Sequence, residues 1–364
     1  MKVRAAVAYD GRHEFSIEEL DVSEPGPENI LVRVAGCGLC HTDVKACEGN
    51  MGVPMPAVLG HEGAGIVERV GARVTKVQPG DHVVLTCDSC GACPTCLAGN
   101  PAYCDQLMPL NFTDGRAGEP GSFRSGATEV HGHFFGQSSF CNYAVTRERN
   151  TVPVRTDAPL EILGVLGCGV QTGAGAVMNS LAARAGSAIA IFGVGPVGLS
   201  AVMAAAVCGC SAIIAVDVLA SRLQMAKQLG ATHTVLADPQ VNVAEEIRKI
   251  APGGVGCAFD TTGRADSNQH ALDSLTAKGI FGFCAVPAEA PKMYRVLSRG
   301  ISIRGIVQGD SVPDVFIPKL VDLYMNGLFP FDKLVTRYPF GKINQAIKDQ
   351  AAGKVVKPVF LFPS

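Results

Sequence analysis

Residues 188–208 read AIAIFGVGPVGLSAVMAAAVC, an apolar run that passes through a glycine-rich turn into a second apolar run. The turn matches the spacing G-x-G-x-x-G. Gly193 would allow the tight turn, Gly195 would let a pyrophosphate approach the backbone, and Gly198 would permit close helix–strand packing. The N–H groups and the dipole at the start of the following helix would favour an anion. The stretch therefore predicts a strand–turn–helix unit that binds a dinucleotide.

An acidic residue at the end of the next predicted strand favours NAD as that dinucleotide. Asp217 follows Gly198 by 19 residues, where a carboxylate would hydrogen-bond the hydroxyls of the adenosine ribose and repel a 2′-phosphate. A helix N-cap is the structural alternative for Asp217. Arg222 leaves some room for NADP, but its position five residues later favours a place beside the adenosine ribose. We therefore predict that this turn binds NAD.

The chain around this turn alternates between strand and helix signals. The predicted strands are Ala188–Phe192, Ala212–Asp217, His233–Leu236, Ala258–Asp260, Ile280–Val286 and Ile301–Val307. Apolar residues at helical spacing cover Ala220–Leu229, and other helical stretches lie between the strands. Strands that alternate with helices predict an α/β domain with a parallel, doubly wound sheet.

Residues 1 to about 150 have a different pattern. Short strand signals lie between proline- and glycine-rich turns, at Lys2–Ala8, Ile30–Val34, Gly65–Val70 and Asp81–Leu85. This pattern predicts a β-rich domain with long loops. After about Val307 the chain becomes proline-rich and mixed. Because this tail is too short for a domain of its own, we expect it to pack on the β-rich domain.

Length and charge limit the classes of function. The chain has 364 residues, which suits two domains, and 31 Lys and Arg against 33 Asp and Glu give a net charge of −2. This balance gives no electrostatic argument for nucleic acid or an anionic membrane as a partner. No apolar run reaches the roughly 18–20 residues that span a bilayer, and the start MKVRAAVAYDG lacks the apolar stretch of a signal peptide. We therefore expect a cytoplasmic protein.

Fourteen cysteines in a chain without a secretion signal indicate metal ligands, catalytic thiols or buried small side chains. Cys90, Cys93, Cys96 and Cys104 lie within fifteen residues. A loop with such spacings can wrap four thiolates around a tetrahedral Zn²⁺, and an iron–sulfur cluster is the competing metal group. A closed shell of four thiolates leaves no open position. We therefore predict a structural zinc at this loop.

Three other glycine-rich segments contain residues that could hold a second metal ion. They contribute Cys40, His61 and Cys168. A catalytic zinc needs two or three protein ligands and an open position for water or substrate, and two thiolates with one imidazole would satisfy that need. Spacing alone does not pair such distant segments. The alternatives are that Cys168 is a buried structural thiol and that His61 is a loop histidine whose hydrogen bonds are satisfied within the protein.

The motifs together resemble those of the zinc-dependent medium-chain alcohol dehydrogenases over essentially the whole chain. The resemblance is carried by GCGLCHTD (36–43), GHEGAGIVERVG (60–71), PGDHVV (79–84), the four-cysteine loop, GCGVQTGAGAV (167–177) and IFGVGPVGLSAV (191–202). The segments HGHFFGQSSF (131–140) and YPFGKINQAI (338–347) are similar to the aryl-alcohol (benzyl-alcohol) branch. Allylic terpenoid alcohol dehydrogenases share much of this sequence, so the substrate is less sharply defined than the reaction.

The resemblance implies a fold and a division of labour. A GroES-like, β-rich catalytic domain of residues 1–169 and 307–364 would hold two zinc ions, one catalytic and one structural. A Rossmann domain of residues 170–306 would bind NAD, with the active site in the cleft. Such an enzyme would oxidise a primary alcohol to an aldehyde and transfer a hydride to NAD. The family forms homodimers or homotetramers, and Ile301–Val307 could extend the sheet across a two-fold axis.

The resemblance also implies roles for single residues. The catalytic zinc would be held by Cys40, His61 and Cys168. Glu62 would lie just behind that ion, Asp43 would accept the N–H of His61, and the hydroxyl of Thr42 would receive the alcohol proton. The other implied cofactor contacts are His41 and Lys357 at the pyrophosphate and Thr172 and Val197 at the nicotinamide.

Two assignments stay open at the level of sequence. Lys45 stands where many relatives end the proton relay in a histidine, and a lysine there would need a lowered pKa to act as a base. A solvated lysine, with protons leaving through water, is the alternative. Phe134 and Phe135 match one wall of the substrate pocket in relatives, with Val286 and Ile306 as candidates for the far wall. Aromatic walls suit a flat alcohol, but such side chains also form cores.

Three classes of function remain at this level. The first is an aryl or allylic alcohol dehydrogenase. The second is a related dehydrogenase of another substrate, such as an aliphatic alcohol or a thiol adduct of formaldehyde. The third is a non-enzymatic protein that binds NAD or stores zinc, and an intact open zinc site argues against it.

Overall fold

The computed structural model describes residues 1–10, 12–113 and 123–362 and divides into two compact units. Unit 1 comprises Met1–Cys168, Val312–Met325 and Asp332–Ser364, and unit 2 comprises Gly169–Ser311 and Asn326–Phe331. The first division of the chain therefore falls between Cys168 and Gly169. Most of the tail after Val312 belongs with the N-terminal residues.

Unit 1 is rich in short strands. Its elements up to the division are β1 (Lys2–Ala8), β2 (Ser16–Val22), β3 (Asn29–Gly38), α1 (His41–Cys47), β4 (Ala57–Val58), β5 (Gly63–Val70), β6 (His82–Leu85), α2 (Pro94–Leu97), α3 (Leu107–Asn111), β7 (Phe123–Ser125), β8 (Thr128–Val130), β9 (Tyr143–Arg147), β10 (Thr151–Pro153) and α4 (Leu160–Leu163). Proline- and glycine-rich turns separate them, because proline lacks the N–H that a strand ladder needs.

Unit 2 alternates strands with helices. Its elements are α5 (Gly169–Gly175), β11 (Ala188–Phe192), α6 (Pro196–Val207), β12 (Ala212–Asp217), α7 (Ala220–Gln228), β13 (His233–Leu236), α8 (Val243–Ile250), β14 (Val255–Asp260), α9 (Ala265–Ser274), β15 (Leu275–Phe283), α10 (Tyr294–Arg299) and β16 (Ser302–Gly305). The tail returns to unit 1 with α11 (Pro313–Met325), β17 (Val335–Pro339), α12 (Ile343–Ala351) and β18 (Lys357–Leu361).

Two sheets organise unit 1. One has the order β4-β1-β2-β7-β8, and the other has the order β10-β6-β5-β3-β18-β17, with β9 also paired to β3. A continuous apolar core lies between these strands and includes Val32, Leu39 and Phe360. The last strand of the chain, β18, pairs antiparallel with β3, so the C-terminal tail completes the sheet that carries residues 36–38.

Unit 2 contains a parallel sheet in the order β13-β12-β11-β14-β15-β16. Strand order reverses direction between β11 and β14, and open α/β sheets bind ligands at such a switch point. The strands AIAIF and AIIAVD are buried almost throughout, as expected for strands covered on both faces. The small side chains of α6, mostly alanine, valine and glycine, let this helix pack closely on the sheet.

The predicted fold class, a β-rich domain joined to a doubly wound parallel sheet, is confirmed. The bounds of β1, β11, β12 and β13 agree with the sequence prediction. The prediction for β15 was wrong at both ends, because the strand begins at Leu275 and ends at Phe283. After Leu275 its first residues are polar or small (TAKG) and carry no strand signal, whereas Cys284 and Ala285, which follow Phe283, lie in a bend.

Among the described residues, no single helix has the length and apolar composition to cross a membrane. One bent helix pair, Leu160–Gly167 with Gly169–Ser180, meets that test by length and composition alone.

Candidate metal centres and nucleotide site

Three donors from distant parts of the sequence meet in unit 1. Cys40 immediately precedes α1, His61 precedes β5, and Cys168 ends the unit's first segment. Their donor atoms, together with an oxygen of Glu62, all lie within 4.8 Å of one another. Gly60 makes the approach of His61 possible: it has φ +88°, and a Cβ at this position would collide with the backbone of Phe140. The structure therefore brings together the four residues that the resemblance had placed at one metal.

Asp43 fixes two of these donors by hydrogen bonds. It is fully buried, and its Oδ1 accepts hydrogen bonds from Nδ1 of His61 at 2.8 Å and from the N–H of Gly60 at 3.1 Å. Its Oδ2 accepts from the N–H of Cys40 at 2.9 Å. Since Nδ1 donates to a carboxylate, Nε2 is left as the free coordinating nitrogen. One carboxylate thus fixes the backbone of Cys40 and the tautomer of His61.

The donors change one another's pKa. A hydrogen bond from Cys168 lowers the pKa of Cys40 well below its usual value, and the charge on His61 adds to this effect, while the pKa of Cys168 rises. Burial opposes protonation of His61, but the charges of Asp43 and Cys40 outweigh burial and raise its pKa to about 10. Metal ligands bind as a thiolate and a neutral imidazole, so binding of a metal ion would release the protons that remain on these donors.

Glu62 forms a buried ion pair with Lys357 beside these donors. The Nζ of Lys357 lies 2.7 Å from Oε1 and 2.6 Å from Oε2 of Glu62, and it donates to the carbonyl of Leu39 at 3.0 Å. The two side chains are 0 to 2% exposed. Burial disfavours the charge on Lys357, yet Glu62 raises the pKa of this lysine above its usual value. The ammonium expected at a pyrophosphate is here enclosed by a glutamate, so that cofactor role stays a prediction.

The donor set fits a zinc ion. Two thiols and one imidazole nitrogen are the soft and borderline ligands that Zn²⁺ prefers. Nε2 of His61 is buried and has no hydrogen-bond partner among the described residues. A buried polar atom without a partner is costly unless a ligand satisfies it. The cluster of Cys40, His61 and Cys168 therefore has the chemistry of a three-ligand metal site.

Aromatic rings cover the other side of His61. The ring of Phe135 stacks on the imidazole with centroids 4.2 Å apart and an angle of 20°, and Phe134 approaches it edge-on at 5.5 Å. Phe112 contacts both phenylalanines. Phe134 is 0% and Phe135 6% exposed. The pair predicted to line a substrate pocket is thus part of a buried cluster around the imidazole, and its role in substrate binding stays a prediction.

The remaining predicted catalytic residues lie along α1. The hydroxyl of Thr42 is half-buried and lies 3.7 Å from Sγ of Cys40. His41, at the first position of the helix, is exposed. Lys45 is 46% exposed at its side chain and pairs with Glu48 at 3.5 Å. Thr42 is therefore close to the donor set, whereas the ammonium of Lys45 is engaged by a neighbouring carboxylate.

The four-cysteine loop forms a second donor cluster in unit 1. The sulfurs of Cys90, Cys93, Cys96 and Cys104 lie within 4.8 Å of one another. Backbone N–H groups donate to these sulfurs at 3.2–3.4 Å, from residues 90, 92, 93, 96 and 106. The N–H of Asp105 lowers the pKa of Cys93 to about 6. Burial raises the pKa of Cys96 and Cys104 instead, so the fit to a cation with a closed shell rests on the closeness of the four sulfurs.

A buried asparagine joins the two ends of this loop. Asn111, at the end of α3, accepts from the N–H of Asp88 at 2.8 Å and donates to the carbonyls of Asp88 and Leu107. Cys87 donates to the same asparagine oxygen at 3.3 Å. Burial raises the pKa of Cys87, and its sulfur lies outside the four-cysteine cluster. Cys87 is therefore a packing residue of the loop.

The glycine turn of unit 2 has the geometry that a dinucleotide requires. Gly193 has φ +77°, and a Cβ there would lie 2.6 Å from Cγ2 of Thr262. A Cβ on Gly198 would collide with the carbonyl of Gly193. Gly195, in contrast, faces open space, with Arg222 the nearest group at 3.9 Å. Two of the glycines are thus required by the fold itself, and the third leaves room for a ligand.

Asp217 is bonded to the glycine turn. Its Oδ2 accepts from the N–H of Val194 at 2.8 Å, and its Oδ1 accepts from the N–H of Leu219 at 2.9 Å. Each carboxylate oxygen keeps a further lone pair for a ribose hydroxyl. Arg222 is half-buried, which lowers its pKa, while Asp217 opposes that shift. The residue predicted to select NAD therefore also supports the turn.

A cavity of about 570 Å³ opens at this end of the unit 2 sheet. Its lining includes Gly193, Asp217, Asp238, Pro239, Thr262 and Arg264. A cavity of this size, with apolar walls and a few polar groups, could hold one nucleotide of a dinucleotide. Its position at the carboxyl ends of β11, β12 and β13 is the place where dinucleotides bind in such sheets.

The other predicted residues of unit 2 occupy different environments. Thr172 and Val197 are half-buried in or beside α5 and α6. Ile306 is 3% exposed and packs close to Gly282, whereas Val286 is 84% exposed. Ile306 is therefore a core residue of its unit and Val286 a surface residue. Their assignment to a substrate pocket stays a prediction.

Sequence reasoning missed several residues that hold the sites together. Gln137 donates to the carbonyls of His61 and Thr86 and accepts from the N–H of Gly63. Asp260 accepts from Thr262, Gly263 and Ser267 and so shapes the loop beside Gly193. The run Asp-Thr-Thr-Gly after a strand is a turn signal that could have indicated Asp260. Nothing in the sequence around Gln137 gives a comparable signal.

Comparison with known proteins gives consistent matches over the whole chain. The family model for the alcohol dehydrogenase GroES-like domain matches residues 26–156, and that for zinc-binding dehydrogenase matches residues 196–325. The chain is 41% identical over 367 residues to a geraniol dehydrogenase of Castellaniella defragrans, with 100% of the chain and 98% of that protein covered.

Two solved structures match at full coverage of both chains. A crystal structure of an alcohol dehydrogenase zinc-binding domain protein from Burkholderia ambifaria has a TM-score of 0.96 and 47% identity. The crystal structure of benzyl alcohol dehydrogenase from Acinetobacter calcoaceticus has a TM-score of 0.94 and 43% identity.

Proposed function

The chain belongs to the zinc-binding medium-chain alcohol dehydrogenase family, and on this premise we propose that it oxidises a primary aromatic alcohol of the benzyl type to the aldehyde, reversibly, with zinc and NAD. The observation that carries this proposal is the donor set of Cys40, His61 and Cys168. Three ligands leave a coordination position for the alcohol, which a closed four-thiolate site would not offer. When bound, zinc supplies a Lewis acid that lowers the pKa of an alcohol hydroxyl.

The chain's own residues prepare this chemistry. Asp43 holds the Nδ1 proton of His61 and keeps Nε2 available throughout the cycle. The hydroxyl of Thr42 accepts the alcohol proton, because it is the hydroxyl near the donor set, 3.7 Å from Sγ of Cys40. From Thr42 the proton would pass on toward water and, when the cofactor is bound, its ribose. Lys45, whose exposed ammonium lies 3.5 Å from Glu48, stays a candidate for the final base, with release through water as the alternative.

NAD accepts the hydride in this proposal. The turn at Gly193, Gly195 and Gly198 would hold the pyrophosphate, and the carboxylate of Asp217 would accept hydrogen bonds from the ribose hydroxyls. A fixed negative charge at that place disfavours a 2′-phosphate, which argues for NAD over NADP. The cofactor performs the redox chemistry, and the protein supplies orientation and charge stabilisation.

A second zinc ion, held by the four-cysteine loop, has a structural role in the proposal. All four ligand positions would be filled by thiolates, so no substrate could enter. The short spacings and the N–H···S bonds support a single cation in this loop.

The benzyl-type substrate rests on two supports. One is the 43% identity to a benzyl alcohol dehydrogenase over the full chain. The other is the similarity of residues 131–140 to the corresponding segment of the aryl-alcohol branch. An allylic terpenoid alcohol is the second candidate, because the relative named geraniol dehydrogenase is 41% identical. Both alcohols place a π-system next to the carbinol carbon, so the same site could stabilise either.

A substrate panel tests the proposal. Initial rates of NADH formation are measured with benzyl alcohol, cinnamyl alcohol, geraniol, hexanol and ethanol, each with NAD and with NADP. Benzyl alcohol with NAD is expected to give the highest kcat/KM. A higher value for geraniol would favour the second candidate, and equal values for ethanol and benzyl alcohol would refute a preference for aromatic or allylic alcohols. Activity that persists after complete removal of zinc would refute the metal mechanism.

A further inference from the structure

A strained segment of unit 1 lies against the imidazole of His61. Phe135, Gly136 and Ser138 have φ of +53°, +63° and +47°. A bulky non-glycine side chain such as Phe135 in the left-handed region is a rare conformation, which persists only when its surroundings fix it. Such conformations are concentrated at functional sites. We call residues 134–138 the support segment.

Buried polar side chains fix the support segment. Asn150 donates to the carbonyl of Gly136 at 2.9 Å and to that of Phe135 at 3.4 Å. The hydroxyl of Ser138 accepts from the N–H of Phe134 at 3.1 Å and donates to the carbonyl of Val58 at 2.6 Å. Asn150 and Ser138 are both fully buried. The unusual backbone is therefore held by hydrogen bonds on both of its sides.

The support segment contacts both the ring and the backbone of His61. The ring of Phe135 lies nearly parallel to the imidazole, with centroids 4.2 Å apart, and Phe112 backs that ring at 4.9 Å. The side chain of Gln137 donates to the carbonyl of His61 at 3.0 Å and accepts from the N–H of Gly63 at 3.1 Å. Ring and backbone of the same histidine are thus fixed by one short segment.

Stacking of Phe135 restrains the tilt of the His61 ring, which the hydrogen bond to Asp43 does not restrain. A single bond at Nδ1 leaves the imidazole free to tilt about the line that joins it to the carboxylate. A parallel ring against its face removes that tilt, because the two rings could not stay in contact otherwise. Together the two contacts hold Nε2 toward the sulfurs of Cys40 and Cys168.

We propose that Phe135 is a positioning residue for the metal ligand His61, and that the support segment adopts its left-handed backbone in order to place that ring. This inference rests on the proposed zinc site and differs from a role of Phe135 as a substrate wall. A wall residue affects substrates alone, whereas a positioning residue changes the metal site even when no substrate is present. The two roles are therefore separable by experiment.

The test uses the full chain produced with Co²⁺ in place of Zn²⁺, whose visible absorption reports ligand geometry. A Cys40→Ser variant identifies the bands that belong to the site of His61. Phe135→Leu removes the ring, and Phe135→Tyr keeps it. Phe140→Leu is the matched control, since Phe140 is equally buried in the same stretch of chain but packs on Phe15 and Phe360. The rate of metal loss to a chelator is measured for each variant.

Phe135→Leu is expected to shift the bands that depend on Cys40 and to speed metal loss from that site by about two- to tenfold, the worth of one aromatic pair. Phe135→Tyr and Phe140→Leu are expected to leave both readouts unchanged. Unchanged bands in Phe135→Leu, with only KM for the alcohol altered, would make Phe135 a substrate wall and overturn the inference. An equal shift in Phe140→Leu would overturn it as well. Absence of any band that depends on Cys40 in the parent chain would instead refute the proposed zinc site.

Discussion

At the scale of single residues, the Lys357–Glu62 pair carries the largest predicted effect on stability. Lys357→Met would leave the carboxylate of Glu62 without its cation in a fully buried place. Removing one partner of a buried ion pair costs about 3–5 kcal/mol. We expect that loss in the free energy of unfolding of unit 1, measured by urea denaturation with circular dichroism.

Two further variants control this measurement. Lys354→Met removes a lysine whose side chain is 69% exposed and which pairs with Asp349 at 3.3 Å, so it is expected to cost less than about 1 kcal/mol. Lys357→Met combined with Glu62→Gln is expected to recover part of the loss, because the uncompensated charge is gone. Equal stability of Lys354→Met and Lys357→Met would contradict the view that this pair is buried.

Asp217 carries the prediction on cofactor choice. Asp217→Asn keeps an oxygen that can accept from the N–H of Val194, so the turn is expected to hold, but the negative charge is lost. The ratio of kcat/KM for NADP to that for NAD is expected to rise at least about tenfold, the worth of one hydrogen bond to a charged group. Asp238→Asn is the control, since its carboxylate lines the same cavity and bonds the N–H of Gln240 instead of the turn. A similar rise in both variants would show that the selection is not specific to Asp217.

At the scale of elements, the glycine turn contains one glycine that matters for binding, Gly195, and one that matters for folding, Gly198. Gly195 has an ordinary extended backbone, φ −73° and ψ −164°, with open space beside it. Gly195→Ala is therefore expected to keep the unfolding midpoint and to weaken NAD binding at least tenfold, because a methyl group would occupy the place of the pyrophosphate.

Gly198→Ala is expected to destabilise unit 2 by about 1–3 kcal/mol or more, because its Cβ meets the carbonyl of Gly193. Calorimetry of NAD binding and thermal unfolding distinguish the two effects, and a stable Gly198→Ala variant would contradict this account of the packing of α6.

If the four-cysteine loop holds the proposed structural zinc, we expect its order to depend on that ion. Cys104→Ser is expected to lower the zinc content from about two ions per chain to about one, and to open α2 and α3 to proteases. Cys87→Ser is the control, because Cys87 is buried beside the loop but donates to Asn111 and lies outside the donor cluster. Elemental analysis and limited proteolysis provide the readouts. A normal zinc content in Cys104→Ser would refute the assignment of this cysteine.

At the scale of the whole molecule, the β16 edge of the unit 2 sheet is a candidate surface for association between chains. β16 is the last strand in its sheet, so one of its edges has no strand partner within the described sheet. We expect a homodimer or homotetramer that uses this edge. Ser302→Lys places a charge on β16, which natural edge strands use against pairing, and is expected to shift the chain toward monomer in sedimentation experiments. His233→Lys on β13, at the opposite edge, is the control, and dissociation by that variant instead would place the contact at the other edge.

The fold was largely predictable from local signals, and the sites only in part. Periodicity and turn residues located β11, β12 and the glycine turn, because those elements depend on neighbouring residues. The four-cysteine loop was predictable for the same reason. The ion pair of Lys357 with Glu62 joins residues 295 positions apart, and the conformation of Phe135 depends on Asn150 and Val58. Such features arise from tertiary packing, which no short stretch of sequence contains.

The two donor clusters differ in how far apart their ligands lie along the chain, and this difference predicts an order of assembly. Cys90 and Cys104 are 14 residues apart, whereas Cys40 and Cys168 are separated by 128. Closing the longer loop costs on the order of 2 kcal/mol more chain entropy. During refolding the short loop can therefore capture its ion early and act as a nucleus for its neighbourhood. The dispersed cluster must wait until the sheets of unit 1 have formed, so under the proposed assignment of two zinc ions we expect the chain to acquire its structural ion before its catalytic one.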